Sequence, residues 1–120
     1  MAKKALIIDD EQPLLDIISE VLKHLDIESI QAPNGKSAIE IAKGKNIFDL
    51  ILVDMNMPEL NGKDTYKELR KKHPKSAVIF MSGYDISDKI EEMKLNNPNT
   101  FLKKPFSISQ LSQTVKALVH

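Results

Sequence analysis

The stretch LILVDMNMPELNG, residues 50–62, runs four apolar residues straight into a carboxylate at Asp54 and breaks at Pro58. An apolar run without alternation describes a strand buried on both faces, the pattern of a parallel sheet. Taken alone, Asp54 ends such a strand because an Asp side chain bonds its own backbone and favours a turn over a ladder. Two similar runs, ALII (5–8) and AVIFM (77–81), are likewise bounded by charged or turn residues and read as central strands. IESIQA (27–32) and TFL (100–102) are more polar or shorter, which suits the edges of the sheet.

Helical patterns fill the intervals. Leu14, Ile18, Val21 and Leu25, widened by Leu15 and Leu22, form an amphipathic stripe after Pro13. Asn34 and Gly35 precede a segment that can bury Ala38, Ile41 and Ala42, and residues 62–74 carry Tyr66 and Leu69 on one face before Pro74. Residues 85–95 place Ile86, Ile90 and Met93 on a weaker stripe, expected to be mobile. Ser107 is a candidate N-cap for a last helix presenting Ile108, Leu111, Val115 and Leu118. Five alternations of strand and helix predict one α/β domain over residues 1–120, an open doubly wound sheet with five helices on its two faces.

Bulk properties narrow the classes. The 120 residues suit a single core, and 17 basic against 17 acidic residues give no general drive toward nucleic acid or an anionic membrane. With no cysteine there is no thiolate metal site and no Cys nucleophile. The longest apolar runs fall far short of the roughly 20 residues that span a bilayer, so a cytoplasmic location is expected.

In such sheets ligands gather beyond the carboxyl ends of the strands. The polar residues that follow the apolar runs all fall there: Asp9, Asp10 and Glu11 after the first, Asp54 after the third, Ser82 after the fourth, Lys104 before Pro105 after the fifth. Crowded acids repel unless a cation balances them, and an all-oxygen set favours a hard ion, Mg²⁺ above all, with coordination positions left for phosphate oxygens. Lys104 and Ser82 suit phosphoryl oxygens, which need electrostatic stabilisation, and leave the Asp54 carboxylate as nucleophile. Singly, the acids read as helix caps, Ser82 with Gly83 as a turn and Lys104 as a solvated lysine; four such accidents at one edge are a poor account.

The set IIDDE, LVDMNMPELNG, MSG and KKPF, in this order and spacing, resembles the response-regulator receiver domains of two-component signalling, and is similar to the single-domain chemotaxis type across essentially the whole chain. The resemblance implies a flavodoxin-like fold with strand order 2-1-3-4-5. It implies that Asp10 directly, Asp9 largely through water, Asp54 and the backbone carbonyl of Asn56 hold Mg²⁺, that Asp54 is the phosphoacceptor, and that Lys104 pairs with the phosphoryl group. Ser82 and Phe101 correspond to the switch pair, Asn56 and Tyr84 to positions that tune the lifetime of the acyl phosphate, and the bond before Pro105 to a cis peptide. The implied partners are a sensor histidine kinase or phosphotransfer protein as donor and a downstream protein on the face of the fourth helix, fifth strand and fifth helix. Direct contact with nucleic acid or membrane is not implied; a monomer is, or a dimer formed on phosphorylation. Such a domain is not an enzyme beyond catalysing its own phosphorylation and dephosphorylation.

LNNPNTF (95–101) stands where receivers commonly have a Gly-Ala pair, which marks the output surface as unusual. MSGY and FLKKPFS also resemble terminal receivers of hybrid kinases, so a standalone regulator and a piece of a longer chain remain alternatives. A degenerate receiver serving only as a binding module is the competing function. A dehalogenase-like phosphohydrolase would want a second acid where DMN (54–56) has Asn56, and no glycine-rich phosphate loop follows the first strand.

Overall fold

Residues 3–57, 61–83 and 99–119 are described in a computed structural model of the chain. The elements are β1 (Lys3–Ile8), α1 (Gln12–His24), β2 (Ile27–Ala32), α2 (Gly35–Ala42), β3 (Leu50–Asp54), α3 (Gly62–Lys72), β4 (Ala77–Ser82), β5 (Asn99–Lys103) and α4 (Ile108–Leu118). All five strands are parallel, in the order β2-β1-β3-β4-β5. Fold class and strand order are those expected. Four of the five expected helices are described, and the segment expected at 85–95 lies outside the described residues.

Successive residues of a strand point to opposite faces, and the core divides accordingly. Ile51, Val53, Val78 and Phe80 pack with Leu6 and Ile8 beneath α2 and α3. Leu50, Leu52, Ile79 and Met81 pack with Ile7 beneath α1 and α4, through Leu15, Ile18, Leu22, Leu111 and Val115. Every residue of β3 is buried, as the unbroken run demands.

The helices obey local chemistry. Pro13 sits in the first turn of α1, where a missing N–H costs nothing. Oδ1 of Asn34 and of Asn61 accepts from the third backbone N–H of α2 and α3, and Ser107 and Gln110 form a reciprocal capping box on α4. The expected core faces are reproduced with one correction: Ile108 is 63% exposed, as the first residue of α4, a turn ahead of the buried Leu111. Asp26 closes α1 with φ of 60°, a left-handed residue that is not glycine. Arg70 is buried: it donates to the carbonyls of His73 and Ser76 and lies 5.1 Å over Tyr66, joining the end of α3 to the start of β4.

Candidate functional site

Parallel pairing sets the site. Ile8 lies opposite Val53, so Asp9 and Asp54 follow at one level on neighbouring strands, and Asp54 is itself paired with Met81. The ladder continues past the strand ends: Met55 N–H donates to the Met81 carbonyl at 2.9 Å and Lys104 N–H to the Ser82 carbonyl at 2.8 Å. The Lys104-Pro105 bond is cis, as the resemblance implied. Asp9, Asp54 and Lys104 extend the alternation that faces α1 and α4, whereas Ser82 and Phe101 belong to the opposite set with Phe80.

The charged groups meet. One carboxylate oxygen each from Asp9, Asp10 and Asp54 lie within 4.8 Å of one another. Lys104 Nζ donates to Asp9 Oδ2 at 2.7 Å and stands 3.3 Å from Asp54 Oδ2. The remaining oxygen of Asp9 accepts from Glu11 N–H at 2.9 Å, and Asp54 Oδ1 from Asn56 N–H at 3.0 Å. Asp9 and Asp54 are buried and Asp10 is exposed, so the cluster opens to solvent on the Asp10 side. A cleft of about 360 Å³ bounded by Glu11, Leu14, Lys104, Pro105 and Phe106 adjoins it.

Burial pushes the Asp9 carboxyl above its ordinary value, and the Asp54 charge adds to this against the bonds from Lys104 and Glu11. Burial acts to lower the Lys104 ammonium, but its bond to Asp9 and the field of Asp54 outweigh that and raise it. Lys104 is therefore a firmly held cation, and three acids around it leave an excess of negative charge. An all-oxygen cluster with that excess fits a hard divalent ion.

Asn56 and Ser82 are also joined, Nδ2 of Asn56 donating to Ser82 Oγ at 2.7 Å. Phe101, half-buried, packs against the α2/α3 core with Phe80 as its register partner. Every expected site residue among the described ones thus lies at this edge or on the strand leading to it; Tyr84 and Pro58 lie outside the described residues. Two features escaped the sequence reading. The Asn56–Ser82 bond spans 26 positions and leaves no local mark. Gly62 begins α3 against the loop after Asp54, where a Cβ would stand 2.3 Å from the Asp54 carbonyl oxygen and 2.5 Å from the Met55 Cα. The Asn61, Gly62 pair signals a turn or helix start, but not this contact.

Known proteins resemble this chain in sequence and in fold. Residues 5–116 match the family model of the response regulator receiver domain. The sporulation initiation phosphotransferase F of Bacillus subtilis is 33% identical over 97% of this chain and 93% of its own length. The autoinducer 1 sensor kinase/phosphatase LuxN of Vibrio harveyi is 32% identical over 79% of this chain, a match that takes up 12% of that much longer protein. The chemotaxis protein CheY4 of Vibrio cholerae superposes with a TM-score of 0.88 at 26% identity, over 99% of this chain and all of its own. With the family model spanning nearly the whole sheet and both faces of its helices, the chain belongs to the response regulator receiver domains of two-component signalling.

Proposed function

We propose that Asp54 accepts a phosphoryl group from the phosphohistidine of a sensor histidine kinase or a phosphotransfer protein, with residues 1–120 acting as one receiver domain. The observation that carries this reading is Lys104 Nζ set between Asp9 Oδ2 at 2.7 Å and Asp54 Oδ2 at 3.3 Å, within a cluster of three carboxylates. A half-buried ammonium beside a candidate nucleophile is poised for the oxygens of an incoming phosphoryl group.

Asp9, Asp10, Asp54 and the Asn56 carbonyl would hold Mg²⁺, which when bound neutralises charge on the phosphoryl oxygens. In the transfer, a carboxylate oxygen of Asp54 attacks phosphorus in line. The P–N bond to the donor imidazole breaks with its electron pair left on the ring nitrogen, and an acyl phosphate forms. Lys104 remains paired with a phosphoryl oxygen and the Ser82 hydroxyl donates to another. Phe101 then turns inward and alters the face of β5 and α4, where a downstream protein docks. Water attacking phosphorus breaks the bond to the acyl oxygen, restores the Asp54 carboxylate and releases inorganic phosphate. Asn56 and Tyr84 set the pace of that decay, and no other substrate is turned over.

The test is phosphotransfer from a panel of labelled histidine kinases in the presence of Mg²⁺. Label is expected on the wild-type chain and absent from Asp54→Asn. Label persisting on the Asn variant refutes the assignment of Asp54, and an amide spectrum unmoved around Asp54 by beryllofluoride with Mg²⁺ favours the binding-module reading instead.

A further inference from the structure

Asn56 is exposed and Ser82 is fully buried, yet they are joined by a hydrogen bond of 2.7 Å across the mouth of the site. The main chain on both sides of that bond is itself hydrogen-bonded. Asn56 N–H is committed to Asp54 Oδ1 at 3.0 Å, and the Ser82 carbonyl accepts from Lys104 N–H at 2.8 Å in the register of β4 with β5. A turn about the Ser82 side-chain torsion moves its hydroxyl without disturbing those backbone bonds. A change between staggered rotamers carries a hydroxyl oxygen by about 2.3 Å. A displacement of that size takes the hydroxyl out of the 2.7 Å bond wherever the Asn56 side chain keeps its present rotamer.

We propose that the Asn56 amide is a latch on the Ser82 hydroxyl, a positioning device that holds the resting rotamer and sets how readily the domain switches. The inference rests on the receiver reading above and adds to it a residue acting through Ser82. A latch made in the resting form and lost in the switched one favours the resting form by the net worth of that hydrogen bond, a factor of about three to ten. Removing it raises the switched fraction, and the apparent affinity for any ligand selective for that form rises by the same factor.

The probe is beryllofluoride with Mg²⁺, a mimic of the acyl phosphate, titrated against amide shifts in four proteins: wild type, Asn56→Ala, Ser82→Ala and the double variant. Asn56→Ala keeps the backbone N–H and carbonyl, and position 56 is exposed, so the fold is retained and the spectra report it directly. The expected result is a half-saturating concentration about three- to tenfold lower in Asn56→Ala than in wild type, with no such gain when the same change is made on Ser82→Ala. That non-additivity belongs to a latch acting through Ser82 and not to a general loosening of the loop. Equal effects in both backgrounds, or no tightening in Asn56→Ala, overturn the latch while a responding wild type leaves the receiver reading standing. A wild-type chain without any response at Asp54 overturns both.

Discussion

Gly62→Ala sets two physical effects against each other. Alanine is the better helix former by up to about 1 kcal/mol, so a residue opening α3 would ordinarily gain from the change. The added Cβ, however, falls 2.3 Å from the Asp54 carbonyl oxygen and 2.5 Å from the Met55 Cα. Both obstacles are backbone, and ordinary contact lies more than 1 Å farther out. Either α3 withdraws from its seat, or β3 and its loop shift and carry Asp54 away from Lys104, now 3.3 Å distant. Overpacking of this kind costs about 3 kcal/mol where backbone must move, leaving a net loss of about 2–3 kcal/mol. With an unfolding entropy of about 2.1 cal/mol/K per residue, a chain of this length should melt roughly 8–12 °C lower. Thermal unfolding followed by circular dichroism reads this, and beryllofluoride binding reads the displacement of Asp54. A melting temperature equal to or above wild type would show that the contact yields easily and refute the reasoning.

Mg²⁺ at a hundred times its dissociation constant should stabilise the chain by about 2.7 kcal/mol against denaturant, with most of that gain missing in Asp10→Asn; identical curves in Mg²⁺ and EDTA would remove the metal site. Asp9 has a folded value raised above 3.8, so the contribution of this group is present below its unfolded value and lost as pH rises through the folded one. Asp9→Asn should therefore stabilise the metal-free chain at neutral pH, with the difference shrinking on acidification; an advantage that grows toward acid contradicts the burial account. Asp26→Gly should raise stability by about 0.5–1 kcal/mol by relieving the left-handed residue that ends α1, measurable as a shift in denaturation midpoint at unchanged slope.

Much of this was written locally. Residues 50–53 are a buried strand because an unbroken apolar run has no solvent face to offer, and Ser107 caps α4 as its position before a periodic segment suggests. The acids and Lys104 could be brought together on paper because parallel strands all end at one edge. Contacts made by backbone or across long separations were not legible. Gly62 is chosen by the carbonyl it rests on, Arg70 is buried because its charge caps carbonyls after its own helix, and the Asn56–Ser82 bond needs two chain segments already in register. Ile108 illustrates the reverse limit: periodicity assigns it to the apolar stripe, but as the first residue of α4 it stays exposed.

Because alternation along the strands assigns Asp9, Asp54 and Lys104 to one side and Ser82, Phe80 and Phe101 to the other, the sheet is a partition whose two sides meet at its carboxyl edge. Under the proposed roles, the groups that make and break the bond to phosphorus are supported by the α1/α4 core, and those that report it by the α2/α3 core. Substitutions in one core can then alter how fast the mark is written and erased while those in the other alter how strongly it is read. A lineage descending from this sequence has two nearly separate dials, and Asn56, which touches both Asp54 and Ser82, is where turning one would be felt by the other.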